Sequence, residues 1–203
     1  ALPQTSMSEE DRKERGIRDR LLEINKIAAT YYYRQLRSEN GKAGLDYLKK
    51  RELSDSTINS FGLGYATQST GNLYKLLKDK GYDDDILKES GLFTYERGIH
   101  EKFWNRVIFP IMDINNKVIG FGGRVMGDAK PKYLNSPETR LFDKSRNLYG
   151  LNIARTSRKP NMIICEGYMD VISMHQAGFN QAVASLGTAL TPGHARLLKR
   201  YTD

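Results

Sequence analysis

The sequence contains a single cysteine, Cys165, among its 203 residues. One cysteine excludes a disulfide within the chain and a multi-cysteine zinc site. The three histidines, His100, His175 and His194, show no metal-ligand spacing with one another or with Cys165. The residues given therefore predict no zinc centre. No apolar run approaches the roughly 20 residues that a bilayer-spanning helix needs, so the sequence also predicts no membrane span.

Basic residues outnumber acidic ones. Lys and Arg total 32 against 24 Asp and Glu, which gives a formal charge of +8 and a pI near 9.5. This balance suits a polyanion such as nucleic acid or an anionic membrane surface, and it is also compatible with a simple contribution to solubility. Hydrophobic residues make up 39% of the chain and aromatic residues 10%, as in a folded globular protein.

The first half of the sequence has a helical pattern. Ser8 and Asp11 form a predicted N-terminal cap, and apolar residues from Ile17 to Tyr32 follow with helical spacing. Short helices are predicted at 45–50, 54–61, 73–80 and 83–89, separated by glycines. We expect these helices to form a small helical lobe.

The pattern changes to strands near residue 93. RVIFPIMD (106–113) and VIGFGGRV (118–125) predict two strands joined by a tight turn. PKYLNSPET (131–139) contains two prolines and predicts a structured loop, and a short helix is predicted at 147–155. The segment therefore predicts a β-hairpin followed by a loop.

From residue 161 the pattern alternates between strand and helix. MIIC (162–165) predicts a short buried strand, and GYMDVISMHQAG (167–178) a helix. QAVASLG (181–187) predicts another strand, and Thr191 and Pro192 predict the start of another helix. Strand, helix, strand and helix in this order predict a parallel sheet with right-handed crossovers.

Two carboxylates lie at the end of the MIIC strand. Glu166 follows the strand directly, and Asp170 comes four residues later, in the first turn of the helix. Ligands bind at the carboxyl ends of parallel strands, and two carboxylates there suit a hard cation such as Mg²⁺. Taken alone, the pattern fits a structural role better, with Asp170 at the positive end of the helix dipole and Glu166 paired with a base.

The hairpin and the loop after it carry a basic and aromatic group of residues. Arginine and lysine bind phosphates, tyrosine offers a stacking face to an unpaired base, and glycines allow close approach of the backbone. The residues are Arg124, Lys132, Tyr133, Asn135 and Lys144, with Gly120, Gly122 and Gly123. An ordinary hairpin with solvated cations explains the spacing equally well, so both interpretations stay open.

Several blocks of the sequence, in order, resemble one family. CEGYMDV followed by AVASLGTALT resembles the first half of the Toprim domain, which bacterial primases share with type IA and II topoisomerases and some nucleases. RVIFPIMD, VIGFGGRV, KYLNSPET and KSRNLYGL are similar to the bacterial (DnaG-type) primases, as are LLEINKIAATYY and FGLGYA upstream. The resemblance runs from about residue 21 to the end of the sequence.

The resemblance implies a fold and a division of the chain. The fold class is α+β / α/β, with a mixed helical and β-hairpin subdomain at 1–157 and a partial Toprim-type parallel sheet at 158–203. It implies that Glu166 is a metal ligand or general acid–base of a polymerisation centre and that Asp170 is a second acidic position. The family's remaining metal-binding acids form a D-x-D on the next strand, beyond the sequence given, so we expect these 203 residues alone to be inactive.

The same resemblance assigns the basic residues to template and nucleotide binding. Arg124, Lys132, Tyr133, Asn135 and Lys144 match the family's basic motif. Arg106 is a further candidate, and Lys102 falls where relatives often carry arginine. The lysine keeps the charge and loses the bidentate geometry of an arginine on phosphate.

The implied activity is the synthesis of short RNA primers from ribonucleoside triphosphates on single-stranded DNA, with Mg²⁺ or Mn²⁺ and an RNA–DNA hybrid as product. A replicative helicase is expected to bind through a C-terminal region, and zinc is expected only in an N-terminal module, both outside the sequence given. The expected location is the bacterial cytoplasm. The alternatives are another Toprim enzyme, namely a topoisomerase or nuclease, and a module that only binds single-stranded nucleic acid.

Overall fold

The structure is a computed structural model that describes residues 8–202. Helices in that range are α1 (Glu9–Leu36), α2 (Lys42–Lys50), α3 (Asp55–Ser60), α4 (Asn72–Asp79), α5 (Asp84–Glu89), α6 (Leu151–Ala154), α7 (Tyr168–Gln176) and α8 (Pro192–Leu198), with a 3₁₀ turn at Glu39–Gly41. Strands are β1 (Gly64–Ala66), β2 (Phe93–Thr94), β3 (His100–Glu101), β4 (Arg106–Met112), β5 (Val118–Val125), β6 (Tyr133–Asn135), β7 (Ile163–Cys165) and β8 (Ala182–Ala184).

Helix α1 confirms the predicted cap and apolar stripe. The Ser8 hydroxyl accepts from the Asp11 amide while the Asp11 carboxylate accepts from the Ser8 amide, a reciprocal pair that satisfies two free donors of the helix start. The buried residues Leu21, Ile24 and Ala28 recur at helical spacing along the face that packs on the sheet. Burial of this face, more than local propensity, stabilises the helix.

Short helices follow in the predicted places. Ser54 caps α3 through the Thr57 amide, and Asp83 caps α5 through the Ile86 amide. Helix α2 begins at Lys42, three residues before the predicted start, because the 3₁₀ turn leads directly into it.

An antiparallel sheet of four strands organises residues 8–135. Its strand order within the described range is β1-β4-β5-β6. The predicted hairpin is β4 and β5, which pair with a register shift between Ile111 and Met112. Two of the strands were not predicted: β1, in the glycine-rich segment after α3, and β6, inside the predicted loop. Each is three residues long, too short to show an alternating pattern.

The sheet divides the core into two layers. Ile108 and Phe121 pack with α1 on one face, in the cluster that contains Leu21 and Ile24. Phe109, on the other face, belongs to a second cluster. The predicted helical lobe is therefore no separate unit, because α1 packs directly on β1 and β5.

Strands β7 and β8 pair in parallel, as predicted, with Ile164 opposite Val183. Strand β7 is not the buried strand that the sequence predicts, since Ile164 is 43% exposed. Within the described residues β7 pairs with β8 alone. The apolar run MIIC predicted a buried strand, but the run alone does not show which faces of the strand other elements cover.

The α/β segment shares its core with the sheet. Helix α7 contributes Met169, Val171 and Ile172 to the cluster that contains Phe109. At its other end, the Gln176 side chain accepts from the Ser54 amide at 2.9 Å and donates to the Glu52 carbonyl at 2.8 Å. The division at 157/158 stays a proposal, and the two parts pack together across it. In residues 8–202 no helix has the length and apolar character to cross a membrane.

Candidate functional site

A pocket of about 330 Å³ lies at the carboxyl ends of β7 and β8. Glu166 follows β7, and Gly167 is the N-cap residue from which α7 begins. Asp170, in the first turn of α7, lines the pocket with Glu166, and both side chains are exposed. The remaining lining residues are Arg51, Tyr133, Asn135, Gly167, Tyr168, Met169, Ser185 and Gly187. The predicted carboxylates therefore face two of the predicted nucleic-acid-binding residues, Tyr133 and Asn135.

Tyr168 joins the two sides of this pocket. Its hydroxyl donates to Asn135 Oδ1 at 2.6 Å. Its ring stacks on Phe109, with centroids 4.7 Å apart and planes 9° apart, and on Tyr133, with centroids 6.4 Å apart. Burial raises the pKa of Tyr168, and the nearby Tyr133 adds to this, so the hydroxyl stays protonated and keeps its role as donor.

Gly122 makes room for Tyr168. A Cβ at this position would lie far inside van der Waals distance of Cζ of the Tyr168 ring. Gly122 pairs with Asn135 across β5 and β6, so the ring sits directly above this strand pair. The glycine is thus needed for close approach of α7 to the sheet.

Arg124 and Tyr133 are opposite residues on β5 and β6. The guanidinium carbon of Arg124 lies 4.5 Å from the centroid of the Tyr47 ring, within cation–π distance. One terminal nitrogen donates to the Val125 carbonyl at 2.6 Å. Among the described residues no partner satisfies its buried Nε. Arg124 is thus held beside Tyr133, which lines the pocket, while Arg124 itself is not a lining residue.

Tyr133 keeps an exposed ring in this charged setting, with 39% of the residue accessible. Burial of its hydroxyl is the largest cause that raises its pKa, and the nearby Tyr47 raises it further, while Arg124 and Arg51 act in the opposite direction. Arg51 was not predicted as a site residue. It is the C-cap residue of α2, directly after Lys49 and Lys50. A basic helix end has no motif that predicts a place in the pocket, and Arg51 reaches the pocket only through the packing of the fold.

Lys102, Lys144 and Arg106 form a second basic group. Burial is the main cause that lowers the pKa of Lys102, and the nearby charges of Lys144 and Arg106 lower it further. The three positive charges therefore lie close enough to interact, and of the three residues Arg106 is buried. Lys132, exposed, lies directly before β6.

Arg106 is buried, and its guanidinium is used within the protein. It donates to the carbonyls of Pro131 at 2.8 Å, Gly123 at 3.2 Å and Lys132 at 3.3 Å. A Cβ at Gly123 would meet the Arg106 side chain, whereas one at Gly122 would meet Tyr168. Because successive residues of a strand point to opposite faces, Arg106 and Arg124 lie on opposite faces of the sheet. This geometry favours a role for Arg106 in holding the loop before β6.

His194 connects the Lys144 loop to α8. The residue is fully buried, and its Nδ1 accepts from the Thr191 amide at 3.1 Å. Its Nε2 donates to the carbonyls of Lys144 at 2.8 Å and Asn147 at 3.1 Å. No local pattern predicts this buried bridge, because Lys144 lies 50 residues before His194 in the chain.

The pocket partly fits a divalent cation. Glu166 and Asp170 supply exposed carboxylate oxygens, the donors that Mg²⁺ prefers. Across residues 8–202, however, no group of three or more His, Cys, Asp or Glu side chains could hold a metal ion. These two residues are therefore a partial ligand set.

The fold and the pocket define a class of protein. Carboxylates at the carboxyl ends of a parallel strand pair, opposite a basic and aromatic strand, are residue types that suit cations, phosphates and unpaired bases. Residues 31–155 match the DNA primase catalytic core, N-terminal domain, and residues 161–203 match the Toprim domain. The chain belongs to the family of the DNA primase catalytic core, N-terminal domain.

The curated relatives are named DNA primase. The chain is 51% identical over 187 residues to a DNA primase of Clostridium acetobutylicum, covering 91% of this chain and 31% of the relative. It is 50% identical over 185 residues to a DNA primase of Deinococcus radiodurans, covering 89% and 32%. The chain spans about a third of the length of these relatives.

Solved structures agree with the fold. A DnaG primase catalytic domain bound to ssDNA superimposes with a TM-score of 0.87 at 39% identity, covering 92% of this chain and 60% of that one. The RNA polymerase domain of Mycobacterium tuberculosis primase DnaG, in complex with a double-stranded DNA oligomer with a 6-nucleotide overhang, gives 0.86 at 35% identity, covering 90% and 59%. The resemblance inferred from the sequence blocks is thereby confirmed.

Proposed function

We propose that this chain is part of a primase that synthesises short RNA primers from ribonucleoside triphosphates on single-stranded DNA. The observation that carries the proposal is the shared pocket, in which Glu166 and Asp170 lie opposite Tyr133 and Asn135. The relatives named DNA primase and the similar catalytic domain bound to ssDNA support the same activity.

The carboxylates are the proposed catalytic groups. Glu166 and Asp170 would hold part of a Mg²⁺ or Mn²⁺ site, and the cation would supply neutralisation of charge on the reacting phosphates. Glu166, exposed at the pocket mouth, is the group we assign to metal binding or to proton transfer at the primer 3′-hydroxyl. Asp170 is the second acidic position, fixed by the first turn of α7.

The basic and aromatic residues are the proposed binding surface for template and nucleotide. Tyr133 offers an exposed ring, Arg124 is held beside it, and Asn135 is oriented by Tyr168. The proposed binding surface also includes three lysines, Lys132, Lys144 and Lys102, which add positive charge. Arg106 contributes charge from its buried position and holds the loop that carries Lys132.

We propose further that these 203 residues alone bind single-stranded DNA without making primers. The support is the partial ligand set, since the described residues bring together no third acidic, His or Cys ligand. Their DNA binding is expected to fall with salt and not to respond to divalent metal. The proposed helicase contact and any zinc module belong to other parts of the longer protein, which we expect to act in the bacterial cytoplasm.

The test is template-directed synthesis by the full-length protein that contains this chain. We expect labelled ribonucleotides to be incorporated on single-stranded DNA when Mg²⁺ or Mn²⁺ is present and incorporation to stop when the metal is chelated. A parallel assay measures relaxation of supercoiled DNA and strand cleavage. Relaxation or cleavage without ribonucleotide incorporation would favour another Toprim enzyme and overturn the proposal.

A further inference from the structure

Trp104, the single tryptophan of the sequence, has an exposed indole that is nevertheless fixed in place. It is 43% exposed. The ring edge is anchored, because Nε1 donates to the Gln68 carbonyl at 2.8 Å. The neighbouring Phe103 is fully buried in the core beneath the sheet. An indole held at one edge, with much of its surface open, is a preorganised platform for a flat partner.

The backbone beside Trp104 is held in a conformation that few side chains adopt. Asn105 has φ +48° and is only 8% exposed. Its side chain accepts from the Tyr65 hydroxyl and donates to the Met126 carbonyl at 2.9 Å. Its backbone amide donates to the Thr67 carbonyl, and its carbonyl accepts from the Met126 amide at 2.8 Å. These bonds over-determine a left-handed residue and thereby fix the direction of the indole before it, a kind of strain that clusters at ligand sites.

Two basic residues lie close to Trp104 in the chain. Lys102 and Arg106 lie two residues to either side in the chain, and the charges of Lys144 and Arg106 act on Lys102. Arg106 also holds the carbonyl of Lys132. The nearest acidic side chain in the sequence, Glu101, is turned toward the protein, where it accepts from the amides of Leu73 and Tyr74. Lys102 and Arg106 therefore flank the indole in the chain, and the carboxylate nearest to it in the sequence is bonded inside the protein.

The platform lies at a distance from the carboxylate pocket. Arg106 and Phe109 are three residues apart on β4, about 10 Å at the rise of a strand, and Phe109 stacks on Tyr168 in the pocket wall. Trp104 lies beyond Arg106, outside the pocket. It is no part of the acidic site.

We propose that Trp104 stacks on an unpaired base of the single-stranded template, while Lys102 and Lys144 bind the template backbone. The inference rests on the proposed function and extends it, because it adds a base-binding position outside the predicted site. Stacking on an indole is tolerant of sequence, since every base has a π-face. The platform therefore holds the template without selecting where synthesis starts.

The test uses the full-length protein with Trp104→Ala and Trp104→Phe, and Phe179→Ala as a matched control, because Phe179 is an aromatic side chain 48% exposed elsewhere. Binding is measured to an oligo-dT and to an abasic oligomer of equal length. We expect Trp104→Ala to weaken oligo-dT binding about tenfold, Trp104→Phe to lie between, and Phe179→Ala to match wild type. Abasic binding should not change with any of these variants.

Fluorescence gives an independent readout. The difference in emission between wild type and Trp104→Phe isolates the Trp104 signal, which oligo-dT should quench and the abasic oligomer should not. Oligo-dT affinity of Trp104→Ala and Trp104→Phe within twofold of wild type, while Lys144→Ala weakens binding, would overturn the inference and leave the proposed function standing. Absence of DNA binding by the wild-type protein would overturn both.

Discussion

The hydroxyl of Tyr168 donates to Asn135 Oδ1 at 2.6 Å, joining the first turn of α7 to strand β6. One residue belongs to the segment that matches the Toprim domain and the other to the segment that matches the primase N-terminal domain. The bond therefore ties the element that carries Asp170 to the strand that carries Tyr133. Both sides of the pocket depend on it.

Removal of this hydroxyl tests the connection. Tyr168→Phe keeps the stacking on Phe109 and leaves Asn135 Oδ1 without its donor, so we expect the free energy of unfolding to fall by about 1 kcal/mol. The control is Tyr149→Phe, because the buried Tyr149 hydroxyl has no hydrogen-bond partner among the described residues. Urea unfolding should show a loss for Tyr168→Phe and none for Tyr149→Phe. Equal losses would argue against the bond as the cause.

Substitution by alanine should change the stability of the protein in opposite directions at two glycines. Gly122→Ala places a Cβ against the Tyr168 ring and forces α7 away from the sheet, so we expect a loss of about 1–3 kcal/mol. Gly16 lies in α1, where an added Cβ would meet nothing within 4 Å, and Gly16→Ala should stabilise by up to about 1 kcal/mol. Thermal melting measures both. A neutral Gly122→Ala would mean that α7 does not pack on β5 as closely as the structure has it.

The charge on Lys144 is expected to contact template phosphate. Lys144→Ala should weaken single-stranded DNA binding at low salt and reduce the slope of log K against log salt by about 0.7. Lys13→Ala removes an exposed lysine near the start of α1 and serves as the control. Titrations at several salt concentrations give both slopes. An unchanged slope for Lys144→Ala would remove this residue from the binding surface.

His175 predicts a pH dependence of stability. Burial lowers its pKa in the folded state, although its bond to the Ala182 carbonyl opposes this. Below the ordinary histidine pKa of about 6.5, the unfolded chain binds a proton that the folded chain does not. Stability should therefore fall as the pH drops from about 6.5 toward the lowered value. Urea midpoints across this range should fall more for wild type than for His175→Gln, and parallel curves would contradict the prediction.

The sequence predicted the long elements because their patterns are local. The cap of α1, the hairpin of β4 and β5, and the alternation of strand and helix after residue 161 each follow from neighbouring residues. Strands β1 and β6 were missed because a three-residue strand depends on the partner that it pairs with. The exposure of Ile164 was missed for a related reason, since burial depends on which elements cover a strand.

The site was predicted in part. Family blocks indicated Glu166, Asp170, Tyr133 and Asn135, and these four share one pocket. Arg51 came from a segment without any recognisable motif and reached the pocket by packing. The burial of Arg106 could not be predicted from the sequence either, because the carbonyls that its guanidinium binds lie up to 26 residues away in the chain.

The most direct test of the central claim is primer synthesis by the full-length protein with Glu166→Gln, measured on single-stranded DNA with Mg²⁺ or Mn²⁺. Glutamine keeps the shape of the side chain and removes its charge, so the account predicts loss of synthesis with unchanged thermal stability and DNA binding. Glu52→Gln, on the loop after α2, is the matched control and should retain activity. Wild-type initiation by the Glu166→Gln protein would contradict the account.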